Sequence, residues 1–434
     1  MTPLLIGGLG LLSLFVLILL SVPVAISMIV VGTVGFALQA GWSPALTFLA
    51  SEPVRLLSSI DMATLPLFLL MGAFANAAGF SADVYAAAAA FLGHRRGGLA
   101  YATIGGCAAF GAVCGSTTAT AATFGKIALP QMMSRGYSPA FASGSIAAGG
   151  TLKSLIPPSL LMILYCVVAK TFIFDLFLAS LIPALLTIAL NIAAIAIIVR
   201  LNPSVAPVSP RESWKVRRAA AIQAAPAAIL MVIIFGGLYS GVFTVNEAAS
   251  VAAVLSLVFA VARRRLSLRG FMQSLQATAG AAIMLYMILI GASVFTYFMT
   301  LAHVPEALVS NIDALHLPPL GVIALLLVAY IILGTVFEEL SAILITLPFV
   351  LPIVVHAGYD PVWWGVMNVI QAELALIHPP FGIIIFLLHG LAPDIPMKTM
   401  YRGVLPFVVA DLLVLVILTI APSLALWLPN FVNH

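Results

Sequence analysis

The sequence predicts an all-α polytopic membrane protein of two inverted-topology repeats, each holding a re-entrant helical hairpin and a broken transmembrane helix. Three observations carry that prediction. Hydrophobic residues are 63% of the 434-residue chain and charged residues 7%, with a mean hydropathy of +1.20. A soluble domain carries about a quarter charged residues, so lipid is the main solvent here. Apolar runs of about 18 or more residues, enough to cross a hydrocarbon core, recur from end to end. Finally, one long unit is written twice. Leu129-Pro130, Gly136-Tyr137, Pro139 and Pro157-Pro158 return 222 residues later, without a gap, as Leu351-Pro352, Gly358-Tyr359, Pro361 and Pro379-Pro380. Proline fills only 27 of 434 positions, so four coincident prolines at one offset point to duplication.

Helices are the spanning element because lipid cannot satisfy unpaired backbone groups, and the alternation that membrane strands need is absent. Cys107, Cys114 and Cys166 all lie in apolar stretches, which suits small buried packing residues rather than a disulfide framework or a metal site. The net charge of +4 implies no nucleic-acid partner, because the basic residues cluster in membrane-flanking loops. Met1-Thr2-Pro3 lacks the basic region of a signal peptide, so the first apolar run is read as a retained helix.

In chain order, residues 4–40 read as two short helices with a turn at Ser21-Val22-Pro23. A polar link follows (Ser51, Glu52, Arg55, Asp61), then a helix from about Ala63 to Ala78 and a short interfacial helix from Ala82 to Leu92. The apolar stretch at about 99–133 is too long for one span and holds Gly115-Ser116-Thr117-Thr118-Ala119-Thr120 at its centre. A hairpin with its tip near mid-membrane fits that pattern and places the basic flanks on one side. The second hairpin, about 319–355, has Glu338-Glu339-Leu340-Ser341 at its centre. After each hairpin comes a helix that tandem prolines should break, at about 140–169 and 362–391. The halves are then 1–205 and 219–434, joined by a cytoplasmic linker at 206–218.

Lys and Arg set the orientation. Arg95, Arg96, Arg135, Arg200, the Arg211–Arg218 segment, Arg263–Arg265, Arg269, Lys398 and Arg402 fit on one side, leaving Arg55 and Lys170 opposite. The positive-inside rule makes the first side cytoplasmic. Counting crossings opens the first hairpin to the cytoplasm and the second to the other face. Inverted halves of this kind describe a secondary transporter with its site at mid-membrane. A half-helix starting at a hairpin tip offers free N–H groups to an anion. Unwound carbonyls and hydroxyls at Gly149-Gly150-Thr151 and at the Ser116–Thr120 tip can hold a hard cation such as Na⁺. Taken singly, small residues also serve close helix packing and Pro-Pro also marks a simple kink. Neither plainer account explains their joint recurrence.

These residues resemble a known family. Gly115-Ser116-Thr117-Thr118-Ala119-Thr120-Ala121, Gly149-Gly150-Thr151-Leu152, Ile156-Pro157-Pro158-Ser159 and the Gly-Tyr-x-Pro joints are similar to the large membrane subunit of tripartite ATP-independent periplasmic (TRAP) transporters. Val22-Pro23-Val24-Ala25, Gly72, Asn76 and Gly79 extend the resemblance over nearly the whole chain. It implies an elevator-type, Na⁺-coupled carrier of organic anions, typically carboxylates, in the bacterial inner membrane. The implied partners are a small four-helix membrane subunit and a periplasmic substrate-binding protein, with no cofactor beyond the coupling ion. Ser116, Thr117, Thr118 and Thr120 would line the first tip, faced by Gly149, Gly150 and Thr151. The second site would use Glu338, Ser341, Gln371 and the backbone around His378, Pro379 and Pro380. The chain departs from the pattern at Lys153 (for glycine), Lys126 (for a small residue), Glu338 (for Asp), Ala375 (for glycine) and His378 (for threonine).

Lys153, between the Gly-Gly pair and Pro157-Pro158, is the sharpest of these. A bare charge at membrane depth costs at least about 2.5–3.5 kcal/mol, so its ammonium is expected to replace a coupling ion or meet a substrate carboxylate. A lysine snorkelling to a wet cleft is the plainer alternative. Glu373 is a candidate partner for it across the halves. Arg263–Arg265 reads as a topology signal with lipid contact, and Lys126 as reaching the cytoplasmic interface. A self-sufficient anion symporter of the same fold is the alternative carrier. An intramembrane enzyme lacks support: there is no His-Glu-x-x-His, no paired Asp in helices and no serine elbow with a base.

Overall fold

Segments that cross lipid must pair their own backbone groups, and this chain does so with helices. The structure is a computed structural model that describes residues 2–113, 117–334, 337 and 339–432. Among these residues there are twenty α-helices and no strand. The first ten are α1 (Pro3–Leu19), α2 (Val24–Ala40), α3 (Trp42–Leu57), α4 (Thr64–Ala77), α5 (Phe80–Leu92), α6 (Gly98–Gly111), α7 (Thr117–Ser134), α8 (Pro139–Thr151), α9 (Leu160–Ala169) and α10 (Ile173–Leu201). The second ten are α11 (Trp214–Tyr239), α12 (Val245–Ala262), α13 (Leu268–Leu301), α14 (Val304–Ala314), α15 (Pro319–Gly334), α16 (Glu339–His356), α17 (Pro361–Ala375), α18 (Ile383–Leu391), α19 (Met397–Ile420) and α20 (Ser423–Val432). Helices α7 and α16 start at 117 and 339, and α8 and α17 at 139 and 361, the offset of the proline pattern in both cases. Gly136 and Gly358 follow α7 and α16 with φ of +76° and +84°, a left-handed backbone that favours glycine. Both Pro157-Pro158 and Pro379-Pro380 are cis.

Among the described residues, seven helices are long and apolar enough to cross a membrane. An eighth span results if Pro139–Leu155 and Leu160–Ala169, bent by 43°, count as one. The turn at Ser21-Val22-Pro23 falls between α1 and α2, with Ser21 left-handed at φ +65°.

One expectation changes, and the Arg263–Arg265 topology signal gains a further role. Of the polar link, Ser51, Glu52 and Arg55 lie in a helix, α3, whose buried charge is satisfied within the fold, and Asp61 lies in the 3-10 turn Ile60–Ala63 that follows. Arg55 donates to Glu52 from Nε (2.8 Å) and Nη2 (2.5 Å), and Ser293 of α13 donates to the same carboxylate. Glu52 is only 3% exposed. The Arg263–Arg265 run, in turn, is a structural tie. Arg263 and Arg265 pair with Asp83 of α5 and donate to the Ala78 carbonyl that ends α4, at 3.3 and 3.0 Å. The Arg263 guanidinium also lies 5.2 Å from the Phe80 ring centre. Aliphatic runs around an arginine cannot reveal such a partner.

Two packed groups frame the site. Helices α2, α3 and α4 lie on α13, while α8 lies on α6, α7 and α19. A Cβ on Gly403 would stand 1.8 Å from the Ala140 carbonyl oxygen, and one on Gly144 2.1 Å from that of Gly403. Helices α8 and α19 therefore touch backbone to backbone, as small residues allow in membranes. Gly403→Val is expected to cost about 1–3 kcal/mol or more by overpacking. A lowered thermal-unfolding midpoint in detergent checks this, and an unchanged midpoint would contradict the close approach.

Candidate functional site

Helices α6 and α7 form the first hairpin, and α7 starts with Thr117 at the tip. The following helix stops at Thr151, tightens into a 3-10 turn over Leu152–Leu155, bends through Pro157-Pro158 and resumes as α9. Gly149 and Gly150 therefore lie inside α8 and are not unwound, a correction to the reading above. Their role is close packing: a Cβ would meet Cys107 Sγ at 2.9 Å from Gly149, and Ala121 Cβ at 2.9 Å from Gly150. Leu152 N–H occupies the Gly149 carbonyl, and the Thr151 hydroxyl donates to the Ala148 carbonyl at 2.8 Å. Tandem prolines break the helix downstream, where their missing N–H groups leave acceptors without donors. Glycine marks both breaks and tight contacts, and here it marks the contact.

Lys153 sits in the 3-10 turn and is 3% exposed. It presses on the end of α6, where a Cβ on Gly111 would stand 2.7 Å from Lys153 Cβ and 2.8 Å from its Cα. The same fit recurs in the second half, where a Cβ on Gly334, ending α15, would meet Ala375 Cβ at 2.4 Å. Positions 153 and 375 are one repeat offset apart.

Both tips and both broken helices line one cavity of about 260 Å³. Thr117 and Thr118 come from the first tip, and Glu339 and Leu340 from the start of α16. Lys153, Leu160 and Leu161 come from the first broken helix, and Leu376 and Ile383 from the second. Leu69 of α4 with Ala281, Met284 and Leu285 of α13 close it.

A buried polar chain runs off this cavity. Lys153 Nζ donates to Ser154 Oγ at 3.4 Å, and Ser154 Oγ lies 3.1 Å from Thr117 Oγ1. Thr117 donates to Glu373 Oε1 at 3.0 Å, so Ser154 is the donor to Thr117. Glu373 is 4% exposed, and its Oε2 has no hydrogen-bond partner among the described residues. One chain of hydroxyls thus joins a lysine of the first broken helix, the first tip and a carboxylate of the second broken helix. Behind it, a narrow gap is lined by Thr151, Thr187, Glu373 and Asp411. Asp411 Oδ1 accepts from Asn191 Nδ2 at 3.3 Å. Sequence reasoning passed over Asp411, although a lone Asp within the apolar α19 carries the same signal as Lys153.

Other expected site residues stand elsewhere. Thr120 and Ser341 are buried within their hairpins. Gln371 Nε2 donates to the Leu327 carbonyl of α15, so it holds a hairpin leg rather than lining the cavity. His378 is half-buried at the second break, where Tyr401 donates to the Pro380 and Phe381 carbonyls at 2.8 and 2.6 Å. Pro157, Pro158, Pro379 and Pro380 make the two breaks without lining the cavity. Lys126 is exposed on α7. Ser116 and Glu338 lie outside the described residues. Thr117, Ser154 and Glu373 supply the hard oxygen donors that Na⁺ prefers, yet the Lys153 ammonium already contributes a positive charge beside them.

The comparisons agree with this architecture. A family model described as "Tripartite ATP-independent periplasmic transporter, DctM component" matches residues 11–424. The C4-dicarboxylate TRAP transporter large permease protein DctM of Pseudomonas aeruginosa is 35% identical over 91% of this chain and 94% of its own length. The sialic acid TRAP transporter large permease protein SiaM of Vibrio cholerae is 31% identical, covering 95% and 96%. The ectoine/5-hydroxyectoine large permease protein UehC of Ruegeria pomeroyi is 32% identical, covering 96% and 97%. The solved YdaH transporter of Alcanivorax borkumensis shares the fold, with a TM-score of 0.58 at 16% identity over 90% of each chain. The chain is a non-enzymatic membrane transport subunit and belongs to the DctM component family of tripartite ATP-independent periplasmic transporters.

Proposed function

We propose that this chain carries an organic anion, most simply a carboxylate, inward across the bacterial inner membrane, driven by a cation gradient that includes Na⁺. A periplasmic binding protein delivers the substrate, and a small four-helix membrane subunit completes the complex. The halves are inverted, with hairpins entering from opposite faces, and the unit bearing them moves as an elevator. The observation that carries this reading is the shared cavity at the two tips, with Lys153 in its wall. Thr117, Ser154 and Glu373 would hold a cation there, or the Lys153 ammonium stands in for one and faces the substrate carboxylate. The names of the relatives support the substrate class, since dicarboxylate and sialic acid are organic acids. Such binding by the tips uses the free N–H groups and positive end of α7 and α16.

The test is reconstitution of this chain with its small subunit in proteoliposomes, adding a binding protein loaded with succinate or sialic acid. Uptake is expected only with the loaded binding protein, and faster with an inward Na⁺ gradient. Uptake of free substrate without a binding protein would favour the self-sufficient symporter, and uptake indifferent to Na⁺ would remove the sodium coupling.

A further inference from the structure

A second cavity, of about 420 Å³, lies apart from the central one, between α3, the end of α9 and the face of α13. Its charged residues are Glu52, Arg55 and Lys170. Glu52 is already engaged: Arg55 and Ser293 donate to its two oxygens. Burial works against its charge, but the hydrogen bonds from Arg55 and Ser293 and the charges of Arg55 and Lys170 hold its carboxyl below the usual carboxylate range. Glu52 thus stays ionised and cancels one cation, leaving the cavity one positive charge in excess. Arg55 still presents Nη1, and Lys170 has no ion pair among the described residues. Lys170 caps the end of α9 with a left-handed backbone, φ +55°. Opposite, Thr296 and Thr300 follow Ser293 at helical spacing along one face of α13, their hydroxyls donating back to the Ala292 and Thr296 carbonyls at 2.6 and 2.9 Å, so the donors left for an anion are those of the two cations. Phe48, Leu56, Val168 and Leu289 supply apolar walls.

Two cations with a spent carboxylate and apolar walls make a receptor for an anionic oxygen group on a small apolar body. We propose that this cavity binds such a group, a carboxylate or phosphate, at the face opposite the basic loops, with Lys170 as its principal charge. The ligand is either a free organic anion or an anionic lipid headgroup.

Labelling tests this on the full chain in nanodiscs. Thr300→Cys, exposed at the rim, is placed in a background with Cys107, Cys114 and Cys166 changed to alanine, and its rate of reaction with a neutral thiol reagent is followed. In phosphatidylcholine, succinate or inorganic phosphate is expected to slow labelling at least threefold. Lys170→Asn, which tolerates the left-handed backbone, should raise the half-protecting concentration at least tenfold. Lys170→Arg should restore it, and the paired change Lys153→Met with Glu373→Leu, at the central cavity, should leave it unchanged. Slow labelling in phosphatidylglycerol without added anion, lost in Lys170→Asn, would assign the site to lipid. No protection by succinate, phosphate or phosphatidylglycerol, or equal protection in Lys170→Asn, would overturn the proposal. Protection that vanishes with the paired change Lys153→Met with Glu373→Leu and not with Lys170→Asn would overturn it too, by placing the effect at the central site. Uptake enters none of these readings, so the proposal can fail while the carrier function stands.

Discussion

Lys153→Met is expected to lower uptake at least tenfold and to destabilise the protein by about 3–5 kcal/mol, the usual result of removing one partner from a buried charged pair. Lys153 is 3% exposed, and its ammonium reaches Glu373 through Ser154 and Thr117. Without it, Glu373 keeps its buried carboxylate and loses the opposite charge. Glu373→Leu alone should be similarly damaging, because it strands the ammonium instead. The double variant Lys153→Met with Glu373→Leu should recover most of the stability, since apolar groups of similar volume replace a buried pair at little cost. It should not recover uptake, because the cavity has lost its charge. Thermal unfolding in detergent and proteoliposome uptake read the two quantities separately. Additive losses of stability in the double variant would show that the two groups do not interact. In Lys153→Gly, if the ammonium stands in for a coupling ion, the sodium dependence of uptake should change, and an unchanged dependence at normal expression would refute that role.

The second large effect is at Thr117. Its hydroxyl receives from Ser154 and donates to Glu373, so Thr117→Val keeps the volume and removes the bridge. Leaving both buried groups short of a partner should cost about 1–3 kcal/mol. Uptake should fall at least tenfold, because the tip no longer registers with the second broken helix. Thr117→Ser retains the oxygen and is expected to keep near-normal uptake. If Val and Ser behave alike, the packing of the tip matters and its hydroxyl does not.

How much was legible follows from what each residue signals. Prolines and turn glycines act on the backbone beside them, so the doubled proline pattern locates the joints between α7 and α8 and between α16 and α17 to within a residue or two. Lys153 stood out because a charge among apolar residues is conspicuous in a membrane chain. Its connection to Glu373 was only a guess at a partner, because the two hydroxyls between them lie 37 residues apart in sequence and nothing local marks that contact. Gly149 and Gly150 misled because a glycine that opens a helix and one that lets another helix approach look identical in sequence. Only the Cβ positions against Cys107 and Ala121 distinguish them. Glu52 and Arg55 resembled a loop because polarity was taken for exposure, whereas their mutual bond lets α3 bury one of them.

The claim beneath all of this is that the hairpins enter from opposite faces and meet at one cavity. Single cysteines at Arg96 and Ser134 flank the first hairpin, and at Leu317 and Val355 the second, all four positions being exposed. A membrane-impermeant thiol reagent should reach the first pair only from the cytoplasmic surface and the second pair only from the periplasmic surface. Labelling of both pairs from one surface, or of the two ends of either hairpin from opposite surfaces, would contradict the account.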